Sequence, residues 1–116
     1  MRDWTKIRER YLRDALPIRL GGLATNLGRI RSFAAHEASR ETVAGLIEES
    51  KFFIEWSVPD AEIEVAADLV ELQVELARWQ YKWKEIWGNL VQRGSIADRS
   101  KNWSDRVLAM SGLLSD

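Results

Sequence analysis

The stretch VAADLVELQVELARWQYKWKEIW, residues 65–87, decides the fold because its apolar side chains return at intervals of four and three residues. This alternation places them on one side of an α-helix, in the pattern of a buried seam in a helical bundle. The seam consists of Val65, Leu69, Leu72, Leu76, Trp79, Trp83, Ile86 and Leu90. The sequence therefore predicts a long fourth helix from Ala61 to Leu90 with one side in the core.

A second apolar row lies on the opposite side of the same predicted helix, again at spacings of four and three. It consists of Ile63, Ala67, Val70, Val74, Ala77 and Tyr81. An outer helix of a bundle needs only one apolar side, so this row predicts a second covering layer. Either the N-terminal helix or a second copy of the chain would supply that layer. Of the two, we expect the second copy, and therefore a homodimer formed through the fourth helix.

Three of the six tryptophans lie in WQYKWKEIW, residues 79–87. Trp79 and Trp83 continue the seam and are predicted to be buried, whereas Trp87 lies beside the seam near the end of the helix. Trp87 is therefore the tryptophan that we expect to meet a ligand or partner. The candidate partner-binding residues are Trp87, Trp83, Tyr81, Val74 and Val70. An alternative is a small-ligand pocket lined by Trp79, Trp83 and Trp103.

The rest of the chain predicts four more helices and no strands, because no stretch alternates with period two. The predicted bounds are Trp4–Arg13 with Asp3 as N-cap, Ile18–Ala35, Arg40–Trp56 with Ser39 as N-cap, and Ile96–Leu113 after a break at QRGS, residues 92–95. Short links between consecutive helices favour antiparallel neighbours. The sequence therefore predicts one all-α domain over residues 1–116: an antiparallel four-helix bundle with an additional short N-terminal helix.

Charge is segregated along the 116-residue chain, although the formal net charge is only −1. Residues 1–40 carry a net charge of +5, residues 41–75 of −9 and residues 76–116 of +3. Basic and acidic segments that pack side by side neutralise each other, so the pattern favours internal pairing over a nucleic-acid surface. The charged start lacks an apolar signal segment and no stretch is long enough to span a membrane, which predicts a cytoplasmic protein.

Residue types that carry chemistry are few in this chain. It has no cysteine and a single histidine. Carboxylates recur at helical spacing, but the Glu-x-x-His motifs of di-metal bundles do not occur. The sequence therefore predicts no metal site and no cofactor, and it favours a non-catalytic protein over an enzyme.

The segment RSFAAH, residues 31–36, separates an arginine from the histidine by four residues. It resembles the R-x4-6-H signature of HEPN-domain proteins, small helical bundles that include metal-independent ribonucleases and toxin components. The resemblance implies that His36 acts in proton transfer and that Arg31 holds a phosphate. A HEPN-like ribonuclease or toxin–antitoxin component is therefore an alternative function.

A second resemblance concerns the segments IRLGGLATNLGRI, residues 18–30, and ESKFFIEW, residues 49–56. They resemble uncharacterised small helical proteins of cyanobacteria, and this resemblance implies neither an activity nor site residues. The sequence as a whole favours a helical interaction or assembly module. It would bind a second copy of itself or another protein through shape and apolar complementarity.

Overall fold

The computed structural model describes residues 2–114 and is 86% helical, with no strand among those residues. The α-helices are α1 (Trp4–Leu12), α2 (Leu16–Phe33), α3 (Arg40–Ser57), α4 (Ile63–Tyr81), α5 (Trp83–Trp87) and α6 (Leu90–Ser111). Single turns of 3-10 helix, Glu37–Ser39 and Val58–Asp60, precede and follow α3. The predicted all-α class is confirmed.

The four long helices α2, α3, α4 and α6 share one apolar core. Helix α2 packs against both α3 and α6, and α4 packs against α3. The aliphatic core residues without exposed surface are Leu23, Leu27, Ile30, Val43, Ile47, Ile54, Leu69, Leu72, Leu76 and Val107. Burial of one such side chain contributes about 1.5–3 kcal/mol to the free energy of folding. Burial of apolar side chains in this core is therefore the main contribution that holds the helices together.

Small residues let α2 and α6 approach closely. The hydroxyl of Ser104 donates a hydrogen bond to the carbonyl oxygen of Ala24 at 2.7 Å. A Cβ atom on Gly21 would lie only 2.7 Å from Cδ1 of Leu113. Because side chains three and four residues apart share one side of a helix, Gly21, Ala24 and Gly28 form the groove along which α6 packs.

Helix α1 packs on α3 through aromatic side chains. Its predicted N-cap is confirmed, because the Asp3 carboxylate accepts a hydrogen bond from the Lys6 amide at 3.1 Å. The ring of Tyr11 stacks on that of Phe53 with a centroid distance of 4.1 Å. The ring of Trp4 lies 4.4 Å from that of Phe52. Helix α1 therefore covers α3, and the outer side of α4 stays uncovered.

The chain after Tyr81 differs from the prediction. Helix α4 ends at Tyr81 and not at Leu90, and Lys82, with φ −101° and ψ 18°, separates it from the short helix α5. Helix α6 then begins at Leu90. There the Asn89 side chain accepts a hydrogen bond from the Gln92 amide at 3.1 Å and caps the helix. The prediction of one helix over residues 61–90 is therefore wrong.

The predicted break at QRGS, residues 92–95, is also wrong, because this segment lies inside α6. A glycine such as Gly94 disfavours a helix interior by about 1 kcal/mol relative to alanine. The Asn89 cap and the burial of Ile96 and Trp103 outweigh that cost. Leu90 does not extend the seam, because it is the first residue of α6 and is 73% exposed.

The other helix ends lie close to their predicted positions. Pro17 occupies the first turn of α2, where its missing amide hydrogen is not needed. The Ser39 side chain, predicted to cap α3, makes no capping hydrogen bond, although α3 begins at Arg40 as predicted. Helix α6 ends at Ser111 and is followed by Gly112, whose φ of +83° is the left-handed conformation that glycine adopts without strain. Within residues 2–114, no helix has the length and apolar character needed to cross a bilayer.

Candidate functional site: the outer face of helix α4

The candidate functional site is the side of α4 that points away from the core. It carries the second apolar row of the sequence: Ile63, Ala67, Val70, Val74, Ala77 and Tyr81, which we call the α4 face. All six residues are exposed, with exposed fractions of 78% for Ile63, 44% for Val70, 46% for Val74 and 89% for Tyr81. At about 1.5 Å per residue, the row extends for about 27 Å along the helix.

The position of the α4 face follows from what α4 buries. Leu69, Leu72 and Leu76 have no exposed surface, and Trp79 is nearly as buried. These side chains occupy the opposite half of the helix, because a helix turns by about 100° per residue. An aliphatic row of this length in water marks an interaction site more often than a random surface does.

Helices α3 and α6 make polar contacts along the two edges of α4. On one edge, the Lys51 ammonium group of α3 donates to Gln80 Oε1 at 2.6 Å. On the other edge, Arg106 of α6 lies 2.9 Å from Asp68 Oδ1, and Arg99 Nε lies 3.0 Å from Glu75 Oε2. These contacts fix α4 in the molecule from both sides and leave the face between them open.

Three charged residues beside the α4 face have no ionic partner within residues 2–114. They are Glu64 near the N-terminus of α4, Arg78 in its last turn and Lys82 directly after it. All three lie on the same edge, about 60–100° from the middle of the apolar row. This edge is therefore acidic at one end and basic at the other, which is a signal for the site that the apolar pattern does not contain.

The predicted partner-binding residues fall into two groups. Val70, Val74 and Tyr81 lie together on the α4 face. Trp83 is half-buried, and Trp87 is 5% exposed and belongs to the core. The structure therefore brings three of the five residues together on one surface, and neither tryptophan lies on it.

Trp87 connects α5 to the link between α2 and α3. Its indole N–H donates a hydrogen bond to the carbonyl oxygen of Glu37 at 2.9 Å. The Trp83 ring lies 5.1 Å away, and the Arg93 guanidinium lies 5.4 Å from the ring centroid. A ring enclosed on several sides in this way has a structural role in the chain, whatever else it contacts.

The residues of the HEPN-like motif lie at the end of α2. Arg31 is in the last turn of this helix, and His36 is in the extended link that follows. Both side chains are exposed. The proton-transfer and phosphate-binding roles implied by the resemblance stay predictions.

The tryptophans of the alternative small-ligand pocket lie in different environments. Trp103 is buried, and its indole N–H faces Glu75 Oε1 at 3.4 Å. Trp83 instead borders a shallow depression of about 310 Å³ between α3 and α4, together with Gly45 and Gln80. Among residues 2–114, no three histidine, aspartate or glutamate side chains are grouped so that they could hold a metal ion.

The basic residues of α1 do not have free aromatic rings beside them. Trp4 is half-buried and Tyr11 is buried, and both rings pack against α3, so neither is free on both sides for stacking with a nucleobase. Arg2 lies over the Trp4 ring at 4.6 Å and pairs with Glu49.

Comparison of the chain with protein-family models, with curated proteins and with solved structures found no match.

Proposed function

We propose that this chain is a non-catalytic assembly module that forms a homodimer through the α4 face. The observation that supports the proposal is the continuous exposure of six apolar residues on one helix whose other side packs into the core. No element among the described residues covers this row, since α1 packs on α3. A second copy would bury it without requiring any rearrangement of the core.

We also infer that α2, α3, α4 and α6 form an antiparallel four-helix bundle to which α1 is added. The short links at residues 34–39 and 58–62 support this arrangement, because short connections favour antiparallel neighbours. In such a bundle each helix buries one side only. The second apolar side of α4 is then in excess of what the bundle needs, which supports its use between chains.

The size of the α4 face sets the expected strength of the dimer. Specific protein interfaces bury about 1,200–2,000 Å² in total, and a contact between two single helices over about 27 Å is at or below the lower limit of that range. Part of the gain is offset by lost rotational and translational freedom. We therefore expect a reversible dimer with a dissociation constant in the micromolar range.

Sedimentation equilibrium of three proteins tests the proposal. The unaltered chain should populate a dimer as its concentration rises, whereas Val74→Glu should remain a monomer, because it would bury a charge without a partner in the interface. The matched control is Ile18→Glu on α2, which adds the same charge at an apolar residue that is also about half exposed. A monomeric mass for the unaltered chain at all concentrations would contradict the proposal, as would loss of the dimer in both variants.

A further inference from the structure

We infer that the two copies pack their α4 faces antiparallel, about a twofold axis at the level of Leu72. This inference rests on the proposed homodimer and adds its register. In this arrangement Ile63 meets the partner's Tyr81, Ala67 meets the partner's Ala77, and Val70 meets the partner's Val74. The symmetry of the row and the charges along its edge both favour this register.

The apolar row is symmetric about its middle. Its spacings are four, three, four, three and four residues, so they are the same read in either direction. Reversal of the helix about residue 72 exchanges the two ends, the two alanines and the two valines. An antiparallel pair therefore keeps all six residues in contact at once, with no apolar residue left opposite a polar one.

The sizes of the paired residues suit this register. The two alanine layers, Ala67 with the partner's Ala77 and the reverse, lie on either side of the axis and let the two backbones come close. The valines fill the centre. At each end the large ring of Tyr81 covers the partner's Ile63, and these are the two most exposed large side chains of the α4 face.

Charge complementarity separates the antiparallel pair from a parallel one. In an antiparallel pair, each edge of α4 packs against the same edge of the partner's α4, which runs in the opposite direction. Residues 78 and 82 are then opposite residues 66 and 62, so the partner's Glu64 lies between Arg78 and Lys82, about 3 Å from each along the axis. The charges without a partner in the single chain thereby form two identical clusters. Each cluster places the carboxylate of one copy between two cations of the other.

In a parallel pair, the edge of α4 that carries Glu64, Arg78 and Lys82 packs against the opposite edge of the partner's α4. The other edge of α4 carries Glu62, Ala66, Gln73 and Gln80. Glu64 would then approach the acidic Glu62, and Arg78 would face an amide in place of a carboxylate. The two α4 dipoles would also point in the same direction, which is unfavourable.

Glu71 is the acidic residue of this edge that approaches its own copy near the axis. Arg106 of the same chain lies 3.9 Å from Glu71 and 2.9 Å from Asp68. A positive charge is therefore present on each side of the axis, where the two Glu71 carboxylates meet. This reduces the repulsion between them.

Cysteine crosslinking tests the register, and the chain contains no cysteine of its own. Chains with Ala67→Cys and chains with Ala77→Cys, distinguished by a mass tag, are mixed and oxidised under mild conditions. The antiparallel register predicts the mixed disulfide as the dominant crosslinked product. Each variant alone should give little product, because residue 67 and the partner's residue 67 are about 15 Å apart along the axis.

The outcomes distinguish the register from the dimer itself. Disulfides within each variant alone, with little mixed product, would show a parallel pair and overturn the register while leaving the dimer in place. A dimeric mass without either disulfide would place the interface elsewhere and overturn both. A monomeric mass for the unaltered chain in the same buffer would overturn the proposed function directly.

Discussion

Helix α4 has two apolar sides of similar composition. They differ in how much of each side is covered by the rest of the molecule. On the inner side, Leu69, Leu72 and Leu76 have no exposed surface; on the outer side, Val70 and Val74 are nearly half exposed. Both rows follow the same spacing of four and three residues. Periodicity therefore identifies the apolar sides of a helix, whereas the cover over each side depends on the rest of the molecule.

The largest expected effect compares one residue from each side of α4. Leu72→Ala should lower the free energy of unfolding by about 2–5 kcal/mol, because it leaves a cavity in the core. Val74→Ala should change it by less than about 0.5 kcal/mol in dilute solution, where the α4 face is in water. Urea unfolding followed by tryptophan fluorescence measures both. Similar losses for the two variants would mean that the outer side is covered within one chain.

The two tyrosines offer the next comparison, because Tyr11 is buried and Tyr81 lies on the α4 face. Burial raises the pKa of Tyr11 from 10.0 to about 12, and the hydrogen bond with Ser57 opposes this only in part. The unfolded chain therefore releases this proton first as the pH rises. The stability linked to Tyr11 is complete below pH 10 and is lost between pH 10 and 12, by about 3 kcal/mol.

Tyrosinate absorbance of the Tyr81→Phe variant measures this pKa directly, since Tyr11 is then the only tyrosine left. We expect a midpoint near pH 12 while the fold persists. The Tyr11→Phe variant serves as the control, because its unfolding free energy should lack this loss above pH 10. A midpoint at pH 10 in the folded Tyr81→Phe protein would show that α1 does not bury Tyr11 against α3.

A smaller effect tests where helix α6 begins. Asn89→Ala should lower the free energy of unfolding by about 0.5–2 kcal/mol, because it removes the N-cap of α6. Gly94→Ala should raise it by up to about 1 kcal/mol, since an added Cβ meets no atom within 4 Å and alanine favours a helix interior. Thermal unfolding of both variants measures these shifts. Destabilisation by Gly94→Ala would place the helix break at residues 92–95 after all.

The smallest expected effect concerns the charged edge beside the outer side. Glu64→Lys should weaken the dimer by about two- to fivefold, because it puts a third cation near the partner's Arg78 and Lys82. Reversal of Arg78 and Lys82 to glutamate in the same chain should restore the affinity. The control is Glu9→Lys on α1, which makes the same change of charge at an exposed residue. Loss of the difference at high salt would confirm its ionic origin, and an unchanged affinity for Glu64→Lys would count against the antiparallel register.

Much of the fold follows from local patterns in the sequence. The core positions of α2 and α4 were predictable because the buried leucines of each helix recur at helical spacing. Examples are Leu23 and Leu27 in α2 and Leu72 in α4. The Asp3 cap was predictable because an aspartate directly precedes an amphipathic segment. Such features depend on contacts within a few residues, and a single sequence contains them in full.

The parts that sequence reasoning missed depend on competition between distant contacts. The 3–4 spacing continues from Trp79 through Ile86, so it does not detect the interruption at Lys82. The Asn89 cap was overlooked because Gly94 and Ser95 offered a stronger local stop signal. Trp87 was expected at the rim of the seam, but its indole N–H reaches the backbone of Glu37, fifty residues earlier. No local pattern contains that contact.

The most direct test of the proposed dimer measures whether the outer side of α4 becomes covered as the concentration rises. Val74→Cys and Ile18→Cys each place a single thiol in a chain that has no other. The rate of reaction with excess thiol reagent is then followed over a range of protein concentrations. If the α4 face forms the dimer, Val74→Cys should react more slowly as concentration rises, while Ile18→Cys should keep a constant rate. A constant rate for both variants would contradict a dimer formed through the α4 face.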